Sequence, residues 1–229
     1  MRIIAGKWRG RLLVAPPGQT TRPTAERVRQ ALFDRLMHAP WGGRALLEGA
    51  RVLDVFAGTG ALGLEALSRG AAHATFMEQD RAALTALRTN IAACRAEATV
   101  VAGDARQPPP GIACNLVLLD PPYRQDLLDP TLAALDAAGW IAPGAMLVAE
   151  SALISGQTNR DLFPASSLRA PWRSNPAATR VTVAPGSLRF VCDDEPCLSS
   201  SGMTDPFSGS ELLTSFTHGA ARVEFRRKH

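Results

Sequence analysis

The sequence of 229 residues lacks the features that would assign it to several special classes. No apolar run approaches the ~20 residues needed to span a bilayer, and the basic start of the chain is not followed by the apolar segment of a signal peptide. Its four cysteines (Cys94, Cys114, Cys192 and Cys197) form no C-x-x-C pair, and no His lies near them at ligand spacing. We therefore expect a cytoplasmic protein without a disulfide framework, a metal site or a membrane segment.

Basic residues are unevenly distributed along the chain. Residues 1–37 carry eight Lys or Arg and two acidic residues, a net charge of +6, whereas the remaining residues carry 17 basic and 19 acidic ones, a net charge of −2. A basic excess confined to one N-terminal segment is typical of a surface that binds phosphates. A solvated face that maintains solubility would have the same composition, so charge alone leaves both interpretations open.

Short apolar runs alternate with helical patterns between residues 46 and 150. The predicted strands are Val52–Phe56, Ala74–Met77, Thr99–Val101, Leu116–Leu119 and Ala145–Ala149. This alternation predicts an α/β fold with a parallel, doubly wound sheet. In such sheets ligands bind outside the carboxyl ends of the strands.

The chain outside this core divides into three further segments. Residues 1–45 form a basic N-terminal extension with a helix from Pro23, and residues 218–229 read as a terminal strand of the core. Residues 151–217 hold 18 Ser or Thr in 67 positions and lack sustained periodicity, which predicts a mobile insertion. Within it, residues 180–184 or 187–192 are the candidates for a strand that pairs with the terminal one.

A glycine-rich turn follows the first predicted strand. Its candidate ligand-binding residues are Asp54, Phe56, Gly58, Thr59 and Gly60. Glycines let a cofactor lie against bare backbone, and the helix start offers free N–H groups. Nicotinamide and flavin enzymes share this G-x-G-x-x-G pattern.

Acidic residues separate the possible cofactors. Asp54 would repel a pyrophosphate but would attract the amino group of S-adenosylmethionine, which carries no phosphate. Glu78 and Asp104 end the next two strands and suit the ribose hydroxyls and the adenine amine. They could alternatively be solvated strand ends.

Asp120, Pro121, Pro122 and Tyr123 directly follow the fourth strand. A base amine conjugates its lone pair into the ring and is a poor nucleophile. Hydrogen bonds from that amine to the Asp120 carboxylate and the Pro121 carbonyl favour a pyramidal nitrogen, and Tyr123 can stack on the base. The alternative is a tight proline turn with Asp as a turn former.

The basic N-terminal segment interleaves cations with an aromatic ring and glycines. Its candidate RNA contacts are Lys7, Trp8, Arg9, Arg11, Arg22 and Thr24. Such a mixture suits contact with an RNA backbone, although Trp8 could equally be packed in the core.

These motifs together resemble the bacterial 16S rRNA guanine-N2 methyltransferases. The resemblance rests on RIIAGKWRGR, TRPTAERVRQALFDRL, VLDVFAGTGALGLEALSRGA and DPPY, and covers residues 2–150 and 219–226. It implies a class I methyltransferase (Rossmann-like) fold with seven strands and an antiparallel last strand. It also implies S-adenosylmethionine bound around Asp54, Gly58, Gly60, Glu78 and Asp104, and catalysis at residues 120–123. Residues 151–217 depart from the family by their length.

Three alternatives remain open at this point. Adenine-N6 methylation of DNA would use the same Asp-Pro-Pro-Tyr motif, but the chain has no separate target-recognition domain. A nucleotide-binding oxidoreductase would use the glycine turn, but Asp54 argues against it. A non-catalytic RNA-binding factor would not need intact motifs. We expect a monomer that methylates guanine N2 of 16S rRNA within the small ribosomal subunit.

Overall fold

The computed structural model describes residues 1–16, 23–122, 127–152, 210–218 and 221–229. The chain divides into one unit formed by Met1–Leu153 and Asp205–His229 and a second formed by Ile154–Thr204. The second unit lies outside the described residues, and so do the two candidate strands at 180–184 and 187–192. Within the described part of the chain, every helix is too short or too polar to cross a bilayer.

Helices and strands alternate through the core as the sequence predicts. The helices are α1 Pro23–His38, α2 Ala61–Ser68, α3 Arg81–Cys94 and α4 Leu128–Ala137, with a short 3-10 turn at Arg44–Leu46. The strands are β1 Arg51–Val55, β2 His73–Glu78, β3 Ala98–Ala102, β4 Cys114–Leu119, β5 Ile141–Ala152, β6 Ser210–His218 and β7 Ala221–Lys228. Both β5 and β6 extend into the segment predicted as an insertion, 151–217.

One seven-stranded sheet has the order β3-β2-β1-β4-β5-β7-β6. The first five strands are parallel, and β7 lies antiparallel between β5 and β6. The central strands β1 and β4 are mostly apolar and mostly buried, because helices cover a parallel sheet on either side. The predicted doubly wound fold with an antiparallel last strand is confirmed.

The end of the chain forms a hairpin that differs from the expectation. The strand paired with β7 on its outer side is β6, so the prediction that residues 180–184 or 187–192 fill this place was wrong. His218 ends β6 and does not begin the last strand, which starts at Ala221. The two strands are joined through residues 219 and 220 alone, and so short a connection favours local pairing. Phe216 and Phe225 stack across the hairpin with ring centroids 6.1 Å apart.

Candidate functional site

The predicted ligand-binding residues meet at the carboxyl edge of the parallel strands. Val55 of β1 pairs with Met77 of β2 and with Leu119 of β4. The next residues along these three strands are Phe56, Glu78 and Asp120, which therefore lie at one level of the sheet. The strand register thus brings the glycine turn, the ribose candidate and the Asp-Pro-Pro motif together.

The glycine turn adopts a backbone that its residues make possible. Phe56, Gly58 and Gly60 have φ values of 59°, 54° and 78°, in the left-handed region that costs least for glycine. A Cβ on Gly58 would meet no atom closer than 4.0 Å, whereas one on Gly63 would lie 2.4 Å from the Phe76 ring. Gly63 therefore allows α2 to pack on β2, and Gly58 leaves bare backbone facing open space where a ligand can lie.

Asp54 is buried under the turn. Its carboxylate accepts a hydrogen bond of 2.8 Å from the Gly63 N–H. Burial raises the pKa of Asp54 well above its usual value; the Gly63 hydrogen bond opposes the shift, and the charges of Asp120 and Glu78 add to it. Carboxylates thus surround Asp54, and a cationic ligand group would relieve their mutual repulsion.

Glu78 fixes the glycine turn from the neighbouring strand. One carboxylate oxygen accepts a hydrogen bond of 2.7 Å from the Gly58 N–H, and the other accepts bonds of 2.8 Å from the N–H groups of Gln79 and Asp80. A carboxylate has about four lone-pair sites, so capacity remains for a ligand hydroxyl. Thr59 is buried, and its carbonyl accepts a bond of 3.0 Å from the Asn90 amide.

Asp104 lies on the loop after β3, farther along the same edge. Its two carboxylate oxygens accept a bidentate pair of bonds from the Arg106 guanidinium, at 3.0 Å from Nε and 2.6 Å from Nη2. These side-chain hydrogen bonds, with one from the Arg106 N–H, lower the pKa of Asp104. The carboxylate is therefore ionised, and a ligand amine would share it with Arg106.

Asp120 stands at the end of β4, next to Phe56. Its N–H donates to the Val55 carbonyl at 3.5 Å. Water reaches the side chain, yet the protein around it and the neighbouring Glu150 carboxylate raise the pKa of Asp120 to about 7. Pro121 is buried and Pro122 exposed, whereas Tyr123 lies outside the described residues.

The basic N-terminal residues lie away from this edge. Lys7 and Trp8 donate their N–H groups to Ser68, the last residue of α2, and the Arg11 guanidinium donates to the Ala93 carbonyl near the end of α3. Since α2 starts at the glycine turn and rises 1.5 Å per residue, Ser68 is about 12 Å from that turn. These cations therefore lie at the opposite end of the helices from Asp120.

Other predicted RNA contacts have different settings. Trp8 is partly buried against the core, and the Lys7 ammonium lies 4.2 Å from its ring centroid. Lys7 and Arg9 are exposed. Thr24 lies in the first turn of α1, but the structure does not describe its side chain. Arg22 lies outside the described residues.

Three buried polar residues that sequence reasoning missed hold the N-terminal segment in place. Glu65 accepts bonds of 2.7 and 3.0 Å from the N–H groups of Ile4 and Ala5. The Ser68 hydroxyl, at the end of α2, accepts a bond from the Trp8 N–H. The Asn90 side chain bonds to both backbone polar groups of Val14, at 2.8 and 3.0 Å. A lone carboxylate in the apolar helix ALGLEALS was the available signal, because buried charges need partners.

The fit of a cofactor can be judged from these groups. The turn offers bare backbone at Gly58, and the edge concentrates the carboxylates of Asp54, Glu78 and Asp120. Such a site repels pyrophosphate and attracts a cation, which fits the sulfonium and amino groups of S-adenosylmethionine. Together with the strand order, it defines a class I S-adenosylmethionine-dependent methyltransferase.

Sequence relationships specify the family within this class. The model of the family described as "Conserved hypothetical protein 95" matches residues 1–160, and the chain belongs to this family. It is similar to "Ribosomal RNA small subunit methyltransferase D" of Escherichia coli (strain K12), with 45% identity over 159 residues, 68% of this chain and 77% of the relative. The protein of the same name from Haemophilus influenzae is 35% identical over 158 residues, 66% of this chain and 78% of the relative.

Solved structures agree with this placement. "Putative methyltransferase yhhF from Escherichia coli" superposes with a TM-score of 0.67 at 33% identity, covering 100% of this chain and 97% of that one. A 16S rRNA N2 G1207 methyltransferase from T. thermophilus, solved with AdoMet and guanosine, has a TM-score of 0.56 at 17% identity, covering 93% and 45%. The second likeness shows the shared fold alone.

Proposed function

We propose that this chain transfers the methyl group of S-adenosylmethionine to the exocyclic N2 amine of a guanine in 16S rRNA of the small ribosomal subunit. The observation that carries the proposal is the place of Asp120 and Pro121, beside the glycine turn and at the level of Glu78. The names of the E. coli and H. influenzae relatives support the choice of small-subunit rRNA. We therefore propose that the enzyme acts in the cytoplasm.

The carboxyl edge would hold the cofactor through four groups. Asp54 would face its amino group, Gly58 and Gly60 its main chain, and Glu78 the ribose hydroxyls, with Asp104 reaching the adenine amine. When bound, S-adenosylmethionine supplies an electrophilic methyl group on a sulfonium. Phe56 and Thr59 shape the turn around it. Since the edge has no need of a metal for this arrangement, we propose none.

Asp120 and Pro121 act on the target amine. The carboxylate and the Pro121 carbonyl accept hydrogen bonds from the two N–H groups, which favours a pyramidal nitrogen with an available lone pair. Methyl transfer to this nitrogen would release S-adenosylhomocysteine and would leave the nitrogen with one proton to give up. An Asp120 carboxylate with a pKa of about 7 is suited to accept it at neutral pH. Pro122 and Tyr123 would contact the base.

Methyl-transfer assays with tritiated cofactor test this function. Small subunits from a strain lacking this gene are the substrate, with naked 16S rRNA and unmethylated DNA as parallel arms, and mass mapping identifies the product. We expect N2-methylguanosine at one position of the subunit rRNA. N6-methyladenine in DNA would favour the DNA methyltransferase instead, and absence of any methyl transfer would contradict the enzyme assignment.

The Asp120→Ala variant tests the assignment of the catalytic residue. We expect loss of nearly all methyl transfer with cofactor binding, measured by calorimetry, largely retained. The reason is that Asp120 contacts the amine while other residues hold the cofactor. Turnover close to that of the wild-type enzyme would contradict the role given to Asp120.

A further inference from the structure

Basic residues continue beyond the N-terminal segment along one side of α3. Arg81, Arg88 and Arg95 are all exposed and are spaced seven residues apart. Seven residues fall only ~20° short of two full helical turns, so Arg81 and Arg88 lie on one face of the helix, and Arg95 follows at its C-cap. These three arginines are here called the α3 basic row. The helix sequence RAALTALRTNIAAC contains no acidic residue.

The N-terminal segment meets the far end of this row. The Arg11 guanidinium donates to the Ala93 carbonyl, two residues before Arg95. Burial raises the pKa of Cys94, and the charges of Arg11 and Lys7 oppose that shift, which places both cations beside the end of α3. Lys7, Arg11 and the α3 basic row therefore form one continuous cationic surface.

The helix dipole does not account for the whole surface. A helix C-terminus attracts cations within its last turn, which explains Arg11 and Arg95 but not Arg88, two turns earlier. Arg95 also takes a left-handed backbone with φ 49° at the helix cap, a position that costs a non-glycine residue more than glycine.

The far part of this surface, at Arg95 and Lys7, lies too far from Asp120 to contact the target guanine. α3 begins just after Glu78 at the cofactor edge, and its 14 residues span about 21 Å. Arg95 and Lys7 therefore lie about one helix length from Asp120. A large RNA can reach both places at once, whereas a single nucleotide cannot.

We propose that Arg88 and Arg95, together with Lys7 and Arg11, bind the backbone phosphates of a second rRNA segment, away from the methylated guanine. This inference rests on the proposed function, since it takes small-subunit rRNA as the ligand. Each phosphate neutralised releases counterions, so the surface contributes affinity and orientation without reading sequence.

A double variant, Arg88→Gln with Arg95→Asn, tests the surface. Gln preserves the helix, and Asn tolerates the left-handed backbone. We expect binding to small subunits from a strain lacking this gene to weaken about tenfold near physiological salt. The slope of log K against log salt should become less steep, its magnitude decreasing by about 1.5. Cofactor binding measured by calorimetry should stay at the wild-type value, because neither side chain lies at the carboxyl edge.

The single variant Arg44→Gln is the control, since Arg44 is also exposed but lies in the turn before β1. Its binding and salt slope should match those of the wild-type protein. A double variant that is folded by circular dichroism yet keeps the wild-type slope overturns this surface. A wild-type protein that methylates no guanine N2 overturns the proposed function itself, so the two failures are distinguishable.

Discussion

At the scale of single residues, the carboxylates of the site differ in what surrounds them. Asp54 is buried among other carboxylates, Glu78 accepts three backbone N–H groups, and Asp104 is paired with Arg106. Asp120 is open to water but faces Glu150. These surroundings support the proposed division of roles, in which the first three hold the cofactor and Asp120 exchanges a proton near neutral pH.

The pH dependence of kcat/KM should report the titration of Asp120. The ionised carboxylate accepts the stronger bond from the amine and, unlike the protonated acid, can take up its proton, so activity should fall as pH drops through about 7. Burial is the larger cause of the raised pKa of Asp120, and the negative charge of Glu150 adds to it. Glu150→Gln removes that charge, so the acidic limb should move to lower pH. Glu48→Gln, an exposed residue before β1, is the control. A limb unmoved or raised in Glu150→Gln would contradict this account.

Asp54→Asn should separate cofactor binding from stability. We expect cofactor affinity, measured by calorimetry, to fall at least tenfold, because the attraction for the amino group is lost. The melting temperature of the protein without cofactor should be unchanged or higher, since a buried carboxylate among like charges costs free energy. A lower melting temperature with unchanged affinity would mean that Asp54 serves only the fold.

At the scale of elements, one buried carboxylate joins the N-terminal segment to the core. Glu65 on α2 accepts a 2.8 Å bond from Arg69 and lies 3.8 Å from the guanidinium of Arg29 on α1. It also accepts the N–H groups of Ile4 and Ala5. The segment that carries Lys7 and Arg11 is therefore an integral part of the fold, which holds those cations in fixed positions.

Replacing Glu65 should destabilise the protein strongly. Glu65→Ala leaves the buried Arg29 charge and two N–H groups without their partner, a loss of about 3–5 kcal/mol in the free energy of unfolding. Asp34→Ala is the matched control, because Asp34 lies 4.0 Å from Arg69 but is 53% exposed, and its effect should stay within about 0.5 kcal/mol. Equal losses in urea titrations of the two variants would contradict the anchoring role.

The sequence predicted the carboxyl ends of β1 to β4 within one residue but not the end of β5 or the anchors. An apolar run such as LVLL predicts β4 from the local sequence alone. An acidic residue at the carboxyl end of such a strand must then lie at the edge of the sheet where the parallel strands end. The roles of Glu65 and Asn90 depend on partners 60 and 76 residues away, which no local pattern contains. β6 was missed because its pairing with β7 depends on a two-residue connection at 219 and 220 instead of on its own composition.

At the scale of the whole molecule, the sheet limits how the chain can pass from β5 to β6. Ala152 ends β5 opposite Ala221, whereas Ser210 begins β6 opposite Lys228. Both strands run antiparallel to β7, so the connection must run back along the sheet from the level of Ala221 to that of Lys228. This distance is about seven residues of strand, roughly 24 Å. It must also pass across β7, a distance of about 10 Å between β5 and β6. Residues 153–209 connect the end of β5 to the start of β6, a distance that about twelve residues can cover.

Residues 154–204 should therefore be dispensable for the chemical step. We expect a variant in which a Gly/Ser linker of about twelve residues replaces them to fold, bind cofactor and methylate small subunits, because closure entropy grows only with the logarithm of loop length. Simply joining residue 153 to residue 205 is a useful second variant: its six remaining linker residues barely reach, so it should lose stability. A linker variant that folds and binds cofactor but no longer methylates subunits would show instead that these residues recognise the substrate. Methylation of naked 16S rRNA by that same variant would place the lost contact on the assembled particle.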